Sequence, residues 1–433
     1  MKVYLDTVGC RLNQSEIETY ARQLTSAGHT LVASMEEADL MVLNTCTVTA
    51  AAASDSRQKV RQAHNAGVEE IVVTGCLSSI QPNAIQNLPG VSRLVPNQNK
   101  DHLVADLLDI PLEQLETQEF QRQPVPGSRQ RTRAFIKVQD GCDNKCTFCI
   151  TTLARGQGRS RVVKDVVLDV QAAIESGTQE VVLTGVHLGS WGKDFSQPQH
   201  LSQLIRQLLT DTDVRRLRVS SLEPWNLDES FFDLWQDPRL CRHLHLPLQS
   251  GSSSVLRRMA RKTNPKAFAR LVQAARERIP SVAITTDLIA GFPGETQEEF
   301  LEGLRFVESM AFAGAHVFTY SARPGTAAAK MPDQVHNYTR KERNAVLREA
   351  TERSASAYHQ RFTGQEAEVL WENAHPISST SQWFLTGLTD NYLRVTAESD
   401  QPVWNRITPT KLVNLNLNRM VFEGRISQYP DTI

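Results

Sequence analysis

The chain has 433 residues, of which 40% are hydrophobic and 22% are charged, a composition that excludes intrinsic disorder as its default state. Its length exceeds one ordinary core, and domains of roughly 100–200 residues predict about three of them. No apolar run approaches the ~20 residues of a membrane span, and the opening segment MKVYLDTVGC indicates a β-strand rather than a signal peptide. We expect a cytoplasmic protein without a membrane partner.

The net charge of −1 excludes a uniformly basic surface for nucleic acid, yet basic residues are concentrated in two stretches. Residues 121–165 contain ten Lys or Arg against three Asp, a net charge of +7, and residues 255–270 contain six basic residues and no acid. Either stretch can follow a phosphate backbone, and a solvated surface explains each equally well.

Four segments follow one another along the chain. Residues 1–118 alternate β-rich runs with helical stretches, which predicts a doubly wound α/β domain. Residues 119–130 contain two prolines, one glycine and no apolar periodicity, and they are interpreted as a linker. Residues 131–360 resume the alternation with six β/α units, which predicts a partial (β/α)6 barrel, and residues 364–427 contain short strands typical of a small OB-like β-barrel.

Three of the seven cysteines form the pattern Cys-x3-Cys-x2-Cys, at Cys142, Cys146 and Cys149, directly after the predicted strand TRAFIKV. Thiolates so close in sequence repel one another unless a cation neutralises them, and iron–sulfur clusters are held by Cys thiolates. Three ligands leave one iron of a four-iron cluster open to a substrate. Structural zinc is the alternative, but it requires a fourth Cys or His, and none lies nearby in the sequence.

Three further cysteines, Cys10, Cys46 and Cys76, each end or follow a predicted strand of the N-terminal sheet. Because the carboxyl ends of parallel strands lie along one edge of a sheet, we expect these thiols to converge on a second site. The alternative is three unrelated buried cysteines, since Cys is among the most buried residue types. Cys241 lies outside both groups and is interpreted as a structural thiol.

The first pattern, with Phe148 before its last cysteine, resembles the radical-SAM superfamily. The resemblance implies a [4Fe-4S] cluster whose open iron binds the amino and carboxyl groups of S-adenosylmethionine. An electron, provided by an external donor, then cleaves this cofactor to a 5′-deoxyadenosyl radical. The protein would orient the cofactor and exclude water.

Both cysteine groups together resemble the methylthiotransferase family along nearly the whole chain, which ends in a segment similar to an RNA-binding TRAM domain. The matching segments include GCRLNQSE, NTCTVT, LARGQGRSR, HLHLPLQSGS and DLIAGFPGET. GCRLNQSE and DGCDNKCTFC resemble the branch that acts on N6-threonylcarbamoyladenosine. The resemblance implies methylthiolation of C2 of this adenosine at position 37, in the unpaired anticodon loop of tRNA, where the base can leave its stack.

The same resemblance implies two [4Fe-4S] clusters, held by the six grouped cysteines, and S-adenosylmethionine as both methyl donor and radical source. It requires no catalytic side chain beyond the cluster ligands, and we expect a monomer. Thr184 and Gly185 stand where the loop of the superfamily meets the amino group of S-adenosylmethionine, and Ser220 and Glu223 suit its ribose or amino group. A simple turn and polar lining are the alternatives for these four residues.

Gln249 and Asp287 sit at successive predicted strand ends and complete the expected S-adenosylmethionine pocket. His243 and His245 alternate along one strand, and we interpret them as core or lumen histidines rather than metal ligands. The C-terminal segment 361–433 has a net charge of −2, so any contact with RNA would depend on a local face. The aromatic residues available for stacking there are Trp383, Tyr392 and Trp404.

Three alternative functions stay open. The same chemistry can act on isopentenyladenosine in tRNA, or on an aspartate of a small-subunit ribosomal protein. The third alternative, of another class, is a redox sensor that binds RNA through iron–sulfur sites and does not turn over.

Overall fold

The structure is a computed structural model that describes residues 1–116, 132–378 and 381–429. The expected linker 119–130 lies outside the described residues, as do Arg122, Arg129 and Arg131 of the basic stretch. The chain divides into two compact units, which we call the first and the second unit. The first contains residues 1–145, 149–177 and 183–213, and the second contains residues 146–148, 178–182 and 214–433.

The first unit opens with a parallel sheet and its helices. The strands are β1 Lys2–Thr7, β2 Thr30–Leu31, β3 Leu40–Thr45, β4 Glu70–Gly75 and β5 Val91–Val95. The helices are α1 Arg11–Ser26, α2 Ala50–Asn65, α3 Cys76–Ile80, α4 Pro82–Gln86, α5 Leu103–Leu108 and α6 Leu112–Glu116. The strand order is β2-β1-β3-β4-β5, and every neighbouring pair is parallel. The predicted doubly wound α/β domain is confirmed.

Side chains of β3 alternate between two cores, one on each face of the sheet. Leu40 and Val42 belong to the core that contains Leu24 of α1, whereas Met41 and Leu43 belong to the core that contains Val60 of α2. Since successive side chains of a strand point to opposite faces, the near-continuous apolar run of β3 reflects burial on both sides.

The middle of the chain contains the six predicted barrel strands. The strands of this region are β6 Arg133–Lys137, β7 Gln139–Asp140, β8 Arg159–Ser160, β9 Glu180–Thr184, β10 Arg216–Val219, β11 His243–His245, β12 Ala283–Ala290 and β13 Gly314–Thr319. The helices are α7 Thr151–Arg155, α8 Val163–Glu175, α9 Leu201–Asp211, α10 Ser253–Arg258, α11 Pro265–Arg278 and α12 Gln297–Ser309. Six of the strands form two three-stranded sheets, of orders β10-β9-β6 and β11-β12-β13, and β7 pairs with β8. Isolated bridges join Leu217 to Leu240 and Ser221 to His245 within the second unit.

Capping residues define where the helices on either side of β12 begin. The Asn264 side chain accepts a hydrogen bond from the Ala267 N–H, and Pro265 occupies the first turn of α11. Thr296 and Glu299 form a reciprocal capping box at the start of α12. These side chains satisfy backbone donors that a helix start leaves unpaired, so the local sequence determines the limits of the β12 unit.

The C-terminal part follows the long helix α13 Asn337–Gln360. Its strands are β14 Glu366–Pro376, β15 Trp383–Thr389, β16 Arg394–Ser399, β17 Ile407–Asn416 and β18 Val421–Ile426. They close into a barrel of order β14-β15-β16-β18-β17 around a core that includes Trp371 and Phe422. The predicted small β-barrel is confirmed, and closure leaves no open sheet edge.

None of the helices within the described ranges combines the length and the apolar character that crossing a membrane requires.

Candidate functional site

Three cysteines of the first unit follow adjacent strands of the parallel sheet. Cys10 precedes α1 directly and follows β1, Cys46 follows the last residue of β3, and Cys76 begins α3 after β4. Because β1, β3 and β4 are neighbours and parallel, all three cysteines lie at the same edge of the sheet. The order also changes direction between β1 and β3, and ligands of open α/β sheets bind at such a point.

Glycines bring the backbone of this edge very close to Cys46. Gly9 has φ +109°, and a Cβ placed on it would lie 2.5 Å from the Cβ of Cys46 and 2.8 Å from its Sγ. Gly75, with φ +98°, packs just as closely against the backbone of Thr45. The glycine before Cys10 and the glycine before Cys76 therefore allow these segments to meet beside Cys46.

We expect Gly9→Ala to destabilise the protein by about 1–3 kcal/mol and to lower the iron content of the anaerobically purified protein, because the new methyl group collides with Cys46. Gly28→Ala is the matched control, since Gly28 also has a positive φ but nothing lies within 4 Å of its added Cβ. Iron analysis of both variants tests this expectation. Equal iron contents in the two variants would contradict it.

The chemistry of the donors fits iron–sulfur ligation at this edge. Cys46 and Cys76 are buried and Cys10 is exposed. Burial raises the pKa of the Cys46 thiol to about 11, so it carries a proton at neutral pH until a metal replaces that proton. Across the described part of the chain, no three His, Cys, Asp or Glu side chains are grouped closely enough to hold a single metal ion. The fit of this edge to an iron–sulfur cluster therefore rests on the chemistry of its donor atoms, which are three thiols at one edge of the sheet.

The loop that carries Cys142, Cys146 and Cys149 lies between β7 and α7, and all three thiols are half-buried. Backbone N–H groups point at two of the sulfurs: Asn144 donates to Cys142 Sγ at 3.5 Å, and Thr151 donates to Cys149 Sγ at 3.4 Å. Hydrogen bonds of this kind stabilise cluster-bound thiolates, so this loop also fits an iron–sulfur cluster.

Sequence analysis missed three polar residues beside Cys142. His187 Nδ1 lies 3.8 Å from Cys142 Sγ and 3.2 Å from Asn144 Nδ2. The Gln139 side chain accepts a hydrogen bond from the His187 N–H at 2.8 Å. His187 lies 45 positions after Cys142 in the sequence, and no local spacing signal connects the two.

Two residues of the expected S-adenosylmethionine pocket, Thr184 and Gly185, lie in the first unit. Thr184 ends β9, and its carbonyl accepts a hydrogen bond from the Val138 N–H at 2.9 Å. A Cβ on Gly185 would lie 2.8 Å from Leu188 Cδ2 and 3.1 Å from Gln139 O. The glycine is therefore required by close packing, whatever else it does.

The other four expected pocket residues lie in the second unit, and three of them come after the end of a strand. Asp287, expected at a strand end, lies instead inside its strand, which corrects that expectation. Ser220 and Glu223 follow β10, Gln249 follows β11, and Asp287 lies within β12. Gln249 N–H donates to Asp287 O at 2.8 Å, and Asp287 Oδ2 lies 3.3 Å from His245 Nε2. Burial raises the pKa of the Glu223 carboxyl, and Asp287 acts in the same direction.

Arg261 is another residue that the sequence analysis interpreted incompletely. It was counted there with the basic stretch 255–270, which was expected to lie at the surface. Its side chain is only 3% exposed, and its Nη2 lies 2.9 Å from Glu223 Oε2. The guanidinium stacks on the Trp225 ring at 4.3 Å and approaches Cys146 Sγ at 3.9 Å. Arg257, Lys262, Lys266 and Arg270 of the same stretch are exposed.

His243 and Cys241, which were expected to be structural, contact other side chains of the protein. His243 Nε2 lies 2.9 Å from Thr285 Oγ1, and the His243 ring stacks on Tyr392 at 4.5 Å. Tyr392 is half-buried, and the ring face that stacks on His243 is occupied, so its contact with RNA stays a prediction. The Cys241 thiol is buried and donates to Glu180 Oε2 at 3.7 Å, and burial raises its pKa to about 12.

We expect Cys241→Ala to leave the iron content and the product yield at wild-type levels, since its thiol contacts Glu180 rather than the grouped cysteines. The removal of one sulfur from a packed site should cost about 1 kcal/mol of stability. Iron and sulfide analysis of the anaerobically purified variant provides the measurement. A loss of iron would show that Cys241 takes part in metal binding.

Two family profiles match the chain. The profile described as uncharacterized protein family UPF0004 matches residues 2–96, which include Cys10, Cys46 and Cys76. The profile of the Radical SAM superfamily matches residues 136–307, which include Cys142, Cys146 and Cys149. The two matches divide the six cysteines into the same two groups that their positions define.

Curated relatives match over almost the full length. The threonylcarbamoyladenosine tRNA methylthiotransferase MtaB of Bacillus subtilis (strain 168) is 34% identical, covering 95% of this chain and 93% of the relative. The tRNA-2-methylthio-N(6)-dimethylallyladenosine synthase of Acetivibrio thermocellus is 31% identical, covering 96% of this chain and 88% of the relative. Relatives named for threonylcarbamoyladenosine and relatives named for dimethylallyladenosine thus have similar sequence identity to this chain.

Among solved structures, the radical S-adenosylmethionine methyltransferase TsrM of Kitasatospora setae matches with a TM-score of 0.59 at 17% identity. The match covers 76% of this chain and 75% of that chain. At this identity the likeness concerns the fold alone, and it agrees with the predicted α/β architecture.

Proposed function

Because this chain belongs to the radical-SAM methylthiotransferase family, we propose that it methylthiolates C2 of N6-threonylcarbamoyladenosine in tRNA. The membership confirms the resemblance carried by the cysteine motifs, and the chain is an enzyme that transfers sulfur-containing groups. The choice of nucleoside is supported by the segments GCRLNQSE and DGCDNKCTFC, which resemble the threonylcarbamoyladenosine branch, because relatives of both substrate classes have similar identity to this chain. The observation that carries the proposal is the convergence of Cys10, Cys46 and Cys76 at one sheet edge, in addition to the loop of the Radical SAM domain.

The Radical SAM domain implies S-adenosylmethionine and one [4Fe-4S] cluster, and we assign Cys142, Cys146 and Cys149 as its ligands. We assign the trio at the sheet edge as the ligands of a second [4Fe-4S] cluster. When bound, the two clusters and S-adenosylmethionine provide the radical and the methylthio group. The thiols of each group hold their cluster, and backbone donors such as the Asn144 N–H stabilise the thiolate charge.

The predicted pocket residues bind and orient S-adenosylmethionine in this proposal. They are Thr184, Gly185, Ser220, Glu223, Gln249 and Asp287. Gly185 allows the backbone close to the cofactor, and the Glu223 and Asp287 carboxylates accept hydrogen bonds from amino or hydroxyl groups. Arg261 pairs with Glu223 and keeps this carboxylate in position.

The substrate of the proposed reaction is an unpaired base of the anticodon loop, at position 37. The exposed residues Arg257, Lys262, Lys266 and Arg270 are suited to contact phosphates, which position an RNA without reading its sequence. An external donor provides the electron, and the enzyme acts as a monomer.

Mass spectrometry of tRNA nucleosides from a deletion strain tests the substrate. We expect the methylthio group to disappear from N6-threonylcarbamoyladenosine and to return with the wild-type gene but not with a Cys146→Ala variant. Loss of the methylthio group from the isopentenyl nucleoside instead would support the second tRNA substrate, which the A. thermocellus relative also favours. Unchanged methylthio nucleosides of both kinds would overturn the tRNA proposal and favour the ribosomal-protein aspartate.

Turnover distinguishes the enzyme from an iron–sulfur sensor that binds RNA. The anaerobically reconstituted protein, supplied with dithionite and S-adenosylmethionine, is expected to release 5′-deoxyadenosine. A protein that holds iron and sulfide but releases none would be a sensor.

A further inference from the structure

Within the first unit, helix α7 connects Cys149 to the cysteines of the sheet edge. It begins two residues after Cys149, and the Thr151 N–H at its start donates to Cys149 Sγ. At its other end, the Ala154 carbonyl accepts a hydrogen bond from Asn97 Nδ2 at 2.7 Å. The same Asn97 amide nitrogen lies 3.7 Å from Cys76 Sγ. One asparagine therefore links the end of this helix to a cysteine of the sheet edge.

A second asparagine makes the equivalent link to Cys10 through Arg155, the last residue of α7. Arg155 Nη2 donates to Asn13 Oδ1 at 2.6 Å, and the Cys10 thiol donates to the same oxygen at 3.6 Å. Asn13 is fully buried, and its amide nitrogen donates to the carbonyls of Val8 and Thr45 at 2.8 and 3.1 Å. The Asn13 side chain that Arg155 contacts is therefore held by Val8, just after β1, and by Thr45, the last residue of β3.

Arg155 belongs to a buried group of four charges. Its Nη1 lies 3.0 Å from Glu16 Oε1 and 2.9 Å from Asp140 Oδ1, and Lys100 Nζ lies 2.5 Å from both carboxylates. None of the four side chains is more than 6% exposed. The two buried cations and two buried anions balance, which allows the group to remain charged inside the protein. Two more exposed cations lie at its margin, Lys137 at 4.0 Å from Glu16 Oε1 and Arg159 at 3.9 Å from Asp140 Oδ2.

The charges of this group reinforce one another. Burial opposes ionisation of Glu16, but Arg155 and Lys100 outweigh it and hold the Glu16 pKa at about 2. Arg155 is therefore a permanent cation whose planar fork is fixed by two carboxylates and one amide oxygen. Burial opposes the charge of Arg155, but Glu16 and the Cys76 and Cys10 thiols outweigh it and raise the pKa of Arg155. The geometry that links the guanidinium to Cys10 is the Asn13 amide oxygen, which both groups contact.

We propose that Arg155 is a positioning residue that fixes helix α7 against Cys10 and Cys76 and raises the reduction potential of the cluster these cysteines hold. This inference rests on the proposed function, because it assumes a cluster at the N-terminal site. A fixed cation near thiolates stabilises the more negative, reduced form of a cluster. Helix α7 also begins beside Cys149, so the same contacts hold Cys149 relative to Cys10 and Cys76 within the first unit.

The test compares Arg155→Lys with the double variant Glu16→Gln/Arg155→Gln. Arg155→Lys keeps the positive charge but loses the planar guanidinium that binds several oxygens at once. The double variant removes the Arg155 cation together with the Glu16 anion. The buried group therefore stays neutral, and the protein can fold. Each is prepared anaerobically as the full chain in a Cys146→Ala background, where the N-terminal cluster alone is retained, and its midpoint potential is measured by redox titration. We expect the double variant to shift to a more negative potential and Arg155→Lys to shift less.

The second readout is the ratio of methylthio product to 5′-deoxyadenosine in the variants that retain Cys146. Changes in groups that orient metal ligands cost about 10–100-fold in affinity or activity, and we expect this ratio to fall about tenfold in the double variant. The matched control is Glu180→Gln/Arg218→Gln, another fully buried Arg–Glu pair, which lies in the second unit. It is expected to lower stability without moving the potential.

A folded, iron-loaded double variant with a wild-type potential and product ratio would overturn the inference and leave Arg155 a structural ion pair. The failure of the proposed function has a different signature. If alanine at Cys10, Cys46 and Cys76 removes no iron, no second cluster exists. If that replacement removes iron while the Arg155 variants behave as wild type, the inference alone is wrong.

Discussion

Simultaneous replacement of Cys10, Cys46 and Cys76 by alanine is expected to remove about four irons per chain and to leave about four. The loop of Cys142, Cys146 and Cys149 is untouched, so 5′-deoxyadenosine should still form. The methylthio product should disappear, because the proposed second cluster is required for the transfer of sulfur but not for the generation of the radical. Iron and sulfide analysis, together with both product assays, measures the effect.

The reciprocal variant sharpens this expectation. Cys146→Ala should also halve the iron content, but it should abolish 5′-deoxyadenosine and product together. Cys241→Ala controls for the loss of any single thiol. An unchanged iron content in the triple variant would contradict the assignment of the sheet-edge trio, as would a triple variant that still forms product.

Arg218→Ala is expected to lower the free energy of unfolding by about 3–5 kcal/mol, because it leaves the Glu180 carboxylate buried without its counter-ion. Arg218 Nε and Nη2 lie 2.7 and 3.0 Å from the two Glu180 oxygens, and both side chains are fully buried. Arg218 Nη1 also donates to the carbonyl of Asp390 at 2.9 Å, in the turn between β15 and β16. The substitution therefore removes both an ion pair and an attachment of the C-terminal barrel.

Two comparisons isolate this effect in denaturant titrations of the anaerobic protein. Arg353→Ala removes an exposed arginine, 58% accessible, that pairs with Glu308, and such surface pairs contribute about 1 kcal/mol or less. The double variant Glu180→Gln/Arg218→Met should regain part of the lost stability, since no uncompensated charge is left. If Arg218→Ala is as stable as Arg353→Ala, the buried pair does not stabilise the fold as we infer.

Most of the elements of this protein could be predicted from local patterns. Apolar periodicity and turn residues indicated three of the five N-terminal strands, the six barrel strands of the middle region and the five strands of the terminal barrel, because these signals depend only on neighbours in sequence. The short spacing of Cys142, Cys146 and Cys149 was visible for the same reason. Their roles, like those of the pocket residues, stay predictions until the variants are measured.

The sequence by itself determined the type of each element, and it determined that Cys10, Cys46 and Cys76 follow strands. Only the tertiary structure decided that β1, β3 and β4 are neighbours, which brings these cysteines to one edge. It also decided that Arg155 is buried, among the seven basic residues of the stretch 121–165 that the structure describes. The physical reason is that a charge is buried only where partners assemble around it, and two of the partners of this group, Glu16 and Lys100, come from segments far from Arg155 in sequence.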